Sequence, residues 1–143
     1  MLTQAEADAL LAVRKWFPTN FTLTLRPGRN EVYELESDAP AERFVLDAWR
    51  ASLRLSKIRF QNRARSSIIL ARLDLGGAPH TNPDGERIEC PHLHVYREGY
   101  EDTWAFPLDP ARFSAPDDLG RAFADFCALC SIEHLPDIQE ELL

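Results

Sequence analysis

No apolar run in the 143 residues approaches the roughly 18–20 that a membrane-spanning helix needs. Cysteine is scarce and odd in number, three residues, which suits a reducing cytoplasm better than a disulfide framework. The opening stretch MLTQAEADALLAVRKWF places acids before bases, the reverse of a secretory leader. Internal repeats, low-complexity tracts and linkers are missing too, so residues 1–143 are expected to form one domain with a core of its own.

A more local absence is that of acid between Arg50 and Arg72. Seven bases fall there (Arg50, Arg54, Lys57, Arg59, Arg63, Arg65, Arg72) with no carboxylate among them. The whole chain is nevertheless at −7, and outside this segment nine bases face 23 acids. The average charge disfavours nucleic acid as a ligand, whereas the segregation predicts a local positive field. A solvated basic face balanced by acidic helices is the plainer account of the same pattern.

Periodicity suggests an α+β fold with a mainly antiparallel sheet of about five to six strands and helices packed on one face. Thr3 and Glu6 form a capping box for a helix over 3–16. FTLTL (21–25) and EVYELE (31–36) read as a hairpin. Asp38-Ala39-Pro40 reads as the start of a second helix that buries Phe44, Val45, Ala48 and Trp49. Strands are expected near 53–60, 66–75, 91–97 and 101–107. A last helix, from about 114–117, runs past Leu119, Phe123, Phe126 and Cys130, with a short helical tail after Pro136. Cys127 and Cys130 fall within its apolar stripe as small buried hydrophobes.

What is present in excess is histidine in one place. PHTNPDGERIECPHLHVYR (79–97) holds three of the four imidazoles. Alternation along strands puts Lys57, Arg59, Arg72, Asp74, His92, His94 and Tyr96 on one face, opposite Ile58, Phe60, Leu73 and Leu93. The NPDG turn (82–85) brings His80 back over that face. Three readings follow. Cys90, His92 and His94 with His80 or Asp74 offer metal donors, but the spacing fits no established zinc pattern, so no metal and no other cofactor is assigned. Two imidazoles beside cations form a metal-independent kit for RNA cleavage. In it His80, His92 and His94 move protons, Asp74 orients, and Tyr96 assists or stacks on a base. Lys57, Arg59, Arg63, Arg65 and Arg72 hold phosphate. The third reading is that the histidines are polar residues on the wet side of a sheet.

Over nearly its full length, through LTQAEADALL, LSKIRFQNRAR and RLDLGGAPHTNPDGERIECPHLHVYREGY, the chain resembles an uncharacterised bacterial family of small proteins. A local likeness, Arg72-x-Asp74, Pro79-His80 and Pro91-His92-x-His94, resembles TumE-type toxins of toxin–antitoxin systems. The chain departs from that pattern in the inserted TNPDGE and in lacking a longer histidine run. The resemblance implies a toxin acting on RNA or the translation machinery, with a neutralising protein partner. The competing expectation is a non-catalytic acidic binding module, such as a phage- or mobile-element-encoded inhibitor or an antitoxin-like partner. In that case acids around Asp117-Asp118 and Glu140-Glu141 would do the binding.

Overall fold

In the computed structural model, residues 1–141 are described. The chain starts with helix α1 (Gln4–Ala12) and the short strand β1 (Lys15–Trp16). Next come β2 (Thr22–Leu25), β3 (Asn30–Ser37), β4 (Phe44–Arg50), β5 (Ile58–Ala64) and β6 (Ile68–Leu75). A small pair, β7 (His80–Thr81) and β8 (Arg87–Ile88), precedes β9 (His92–Val95) and β10 (Ala105–Pro107). Helix α2 (Leu119–Leu129) and strands β11 (Ile132–Glu133) and β12 (Asp137–Glu140) complete it. The result is α+β, with an eight-stranded sheet in the order β10-β9-β6-β5-β4-β3-β1-β11, larger than the five to six strands expected. All its pairings are antiparallel except β1 with β11. None of the helices among the described residues is long and apolar enough to cross a membrane.

The capping box forms as read: Thr3 Oγ1 accepts from the Glu6 N–H while Glu6 Oε1 accepts from that of Thr3. Helix α2 starts one turn later than its signal, capped by Asp118, which accepts from the Arg121 N–H at 3.1 Å. Its Phe123 and Phe126 lie against Phe60 of β5, with centroids 5.0 and 6.5 Å apart. Leu46 and Ala48 of β4, Leu73 of β6 and Leu93 of β9 complete this core. A second cluster gathers Leu2, Ala7 and Leu10 of the α1 region around Phe44, Ala64 and Leu70. Between the helices, the fully buried Lys15 ammonium donates to the carbonyls of Leu11, Val13 and Cys130 at 2.8–3.0 Å. It thus satisfies acceptors at the C-terminal ends of both helices. Burial pushes its pKa down to about 8.

Three expectations about elements are corrected. The segment 38–49 supplies no helix; its apolar half is β4, paired with β3 on one side and β5 on the other. Six of its seven residues are buried, so the run had no one-sided period to separate strand from helix. β2 and β3 do not form a hairpin. β2 pairs in parallel with β12, and β3 belongs to the large sheet. The tail after Pro136 is therefore strand, because β2 offers it an open edge.

Candidate phosphate pocket on the polar face of the sheet

Register builds this site. Reading across neighbouring strands, Asp47 stands opposite Gln61, Gln61 opposite Arg72, and Arg72 opposite His94. Two residues along, Trp49, Arg59, Asp74 and His92 form a parallel row. Alternation does place the charged side chains of β5, β6 and β9 together, as their period of two predicts.

At the centre is the Asp74 carboxylate. Its Oδ1 accepts from Arg59 Nε at 3.0 Å and from Arg72 Nε at 3.2 Å. Its Oδ2 faces His92 Nε2 at 3.2 Å, Arg72 Nη2 at 3.3 Å and His94 Nε2 at 3.4 Å. Burial alone would raise the Asp74 pKa. The hydrogen bond from His92 and the charges of Arg72 and Arg59 outweigh it and hold the carboxyl far below the usual range. Asp102, from the loop before β10, takes the other side of Arg72, with Nη1 to Oδ2 at 3.2 Å.

Each histidine is anchored on a backbone carbonyl. His94 Nδ1 lies 2.7 Å from Asp102 O, His92 Nδ1 3.2 Å from Glu89 O, and His80 Nε2 2.7 Å from Thr103 O. A carbonyl only accepts, so these nitrogens carry hydrogens; the tautomers are assigned from these partners. His94 Nε2 then accepts from Arg72 Nη2, its nearest neighbour at 3.0 Å. The second nitrogen of His92 also meets an acceptor, so that ring satisfies both partners only with a hydrogen on each. His80 Nδ1 has no partner among the described residues.

The face is not open to solvent where β9 crosses it. His92 is 2 % exposed and His94 0 %. Asn82, in the turn between β7 and β8, clasps β10 with two buried hydrogen bonds: Nδ2 to Ala105 O at 2.9 Å, and Ala105 N to Oδ1 at 2.8 Å. The NPDG turn does carry His80 over β9, where its ring meets that of His94 edge-on at 4.7 Å. The imidazole left at the opening is His80. It lines a cavity of about 170 Å³ with Trp49, Lys57, Arg59, Arg72 and Asp74. Lys57 and Arg59 both lie over the Trp49 ring, at 5.7 and 5.2 Å from its centroid.

Several expected site residues are elsewhere. Tyr96 lies just beyond β9, buried in the α1 cluster, and its hydroxyl donates to Leu2 O at 2.8 Å. The apolar floor under α1 claims the ring, and parity alone does not register that cover. Arg63 forks onto the buried Asp47 at 2.5 and 2.8 Å, and Arg65 onto Glu42 at 2.7 and 2.9 Å. Arg50 is buried, donating to Leu55 O, Leu25 O and Glu141 O. The acid-free segment thus draws its counter-charges from other strands and loops, and most of the expected positive field is cancelled. Trp49 and Asp102 were missed as site residues. Period two along Asp47-x-Trp49 is the signal for the first; Asp102, in an irregular loop, leaves none.

Donor atoms of Asp74, His92 and His94 lie within 4.8 Å of one another, a set that suits zinc. Arg72 Nη2 stands 3.0 Å from His94 Nε2 and 3.3 Å from Asp74 Oδ2, so a guanidinium already serves the ligands an ion would need. A second cation there meets the charges of both arginines. Lys57, Arg59 and Arg72 outnumber Asp74 and Asp102, and the surplus fits an anion in the cavity instead.

Residues 2–132 match the family described as Family of unknown function (DUF6978). The chain belongs to this family. The matched span holds every residue of the pocket and stops short of β12. No curated protein and no solved structure matches the chain. The local likeness to TumE-type toxins has no counterpart among these findings.

Proposed function

We propose that this protein binds a phosphodiester of RNA in the pocket between Arg59, Arg72 and His80 and cleaves it by proton transfer. The observation that carries the reading is the unpartnered Nδ1 of His80 on a cavity whose cations exceed its carboxylates. In this scheme Lys57, Arg59 and Arg72 hold the phosphate and stabilise the charge of the phosphorane. His80 Nδ1 takes the proton of the 2′-hydroxyl as the bond from O2′ to phosphorus forms. As the bond to O5′ breaks, that proton returns through solvent to the leaving oxygen. The products are a 2′,3′-cyclic phosphate and a 5′-hydroxyl. His92 and His94 act as positioning residues, holding Asp74 and Arg72, and no longer as the acid and base themselves. A toxin role with a neutralising partner in the cytoplasm remains part of this proposal.

The test is cleavage of single-stranded RNA by the purified chain, followed by end-group analysis. His80→Ala is expected to lower the rate by about 100-fold or more while leaving the thermal midpoint near that of the wild type. Reversing the exposed acid Asp117 to lysine should leave cleavage intact. Full activity in the His80 variant, or loss of function only on charge reversal, overturns the reading in favour of an acidic binding module.

A further inference from the structure

A second cavity, of about 240 Å³, lies on the same polar face and is lined by Asn30, Asp47, Trp49, Arg59 and Gln61. Trp49 and Arg59 border both cavities, so the two are lobes of one groove separated by an indole and a guanidinium. Each lobe is smaller than the roughly 300–1,000 Å³ of a site for a drug-sized ligand, and together they reach it.

The lobes differ in chemistry. The first has Lys57, Arg59, Arg72 and His80 around it. In the second the Asp47 carboxylate is already forked by Arg63, and it also accepts from Gln61 Nε2 at 2.6 Å. Its charge is therefore spent, and it makes Gln61 present its Oε1 rather than its amide N–H. Among the described residues, the Gln61 Oε1, the Asn30 amide and the Trp49 Nε1–H have no hydrogen-bond partner. Flat aromatic and guanidinium faces with a few unpaired donors and acceptors are what recognises a nucleobase. A bare phosphate has no flat face to lay on them.

We infer that the Trp49–Asn30–Gln61 lobe is the base subsite for the nucleoside whose phosphate sits beside Arg59 and Arg72. This deepens the proposed function and rests on it, because the phosphate lobe fixes where the nucleoside starts. The ligand class is thereby a nucleotide unit of a single strand, since a base inside a duplex has its faces already stacked.

The test is calorimetric titration of the full chain with three probes: inorganic phosphate, ribose 5-phosphate and adenosine 5′-monophosphate. The wild type should bind the nucleotide about tenfold more tightly than the sugar phosphate. Trp49→Ala should remove that advantage, and Trp49→Phe should keep most of it. Asn30→Ala, at an exposed position, should weaken the nucleotide alone and guards against a Trp49 variant that fails to fold. Equal affinity of the wild type for nucleotide and sugar phosphate overturns the base subsite and spares the phosphate pocket. Equal weakening of all three probes by both Asn30→Ala and Trp49→Phe also overturns it. No binding of any probe by the wild type overturns the pocket and the subsite together.

Discussion

At the scale of single residues, Asp74 holds the site together because it is the shared counter-charge of two arginines and the anchor of His92. Removing one member of such a partly buried network leaves the others short of a partner, which costs about 1–3 kcal/mol. Asp74→Asn is therefore expected to lower stability by that order in chemical denaturation at neutral pH. The acid limb gives a second readout. The folded-state pKa of Asp74 is depressed from 3.8, so its contribution is fully present above that value and fades as the pH falls below it. The gap in stability between wild type and Asp74→Asn should narrow between about pH 5 and pH 2; a gap that stays constant would contradict the network. That an aspartate and three histidines belong together was legible from Arg72-x-Asp74 and His92-x-His94. Which imidazole reaches the opening was not, because exposure depends on what the β7–β8 turn covers.

At the scale of elements, that turn decides how closed the site is. Asn82 holds it to β10 by both ends of one amide, and both bonds are buried. Asn82→Ala leaves the Ala105 N–H and carbonyl unpaired at a cost of about 1–3 kcal/mol. Hydrogen exchange should then quicken over residues 80–88 and at β10, while the β4–β5–β6 centre keeps its protection. Unchanged exchange at 80–88 would show that the clasp does not hold the turn. β5 and β6 were legible from the alternation of Ile58, Phe60, Leu73 and Leu75 with polar residues, although β5 runs on to Ala64; β9 kept the expected parity but is buried on both faces. β4 was not legible. Covered on nearly every residue, it carries an apolar run without period, and an Asp-Ala-Pro start made the helix look better than it was. β2 and β12 were missed as partners because a parallel pairing of residues far apart in sequence leaves no local signal.

At the scale of the whole molecule, folding rearranges charge. The segment from Arg50 to Arg72 holds seven bases and no acid, yet Arg59, Arg63, Arg65 and Arg72 all find carboxylates brought from elsewhere. This gives a quantitative expectation for salt. If all seven bases met single-stranded phosphates, the logarithm of the affinity would fall with that of salt with a slope of about −5. Contact by Lys57, Arg59 and Arg72 alone predicts about −2. Binding of a short RNA measured from low to moderate salt separates the two, and a slope near −5 would show the ion pairs opening on binding. The sequence by itself determined the α+β class, the capped first helix, the final amphipathic helix and the shared polar face of β5, β6 and β9, because these depend on periods of 3.6 and 2 within one segment. Only the tertiary structure decided that His92 and His94 are covered, that Tyr96 belongs to the α1 cluster, that Trp49 divides a two-lobed groove, and that the basic segment is largely neutralised. Those outcomes depend on which distant strand, turn or carboxylate comes to lie beside each residue, and such long-range contacts leave no trace in local spacing.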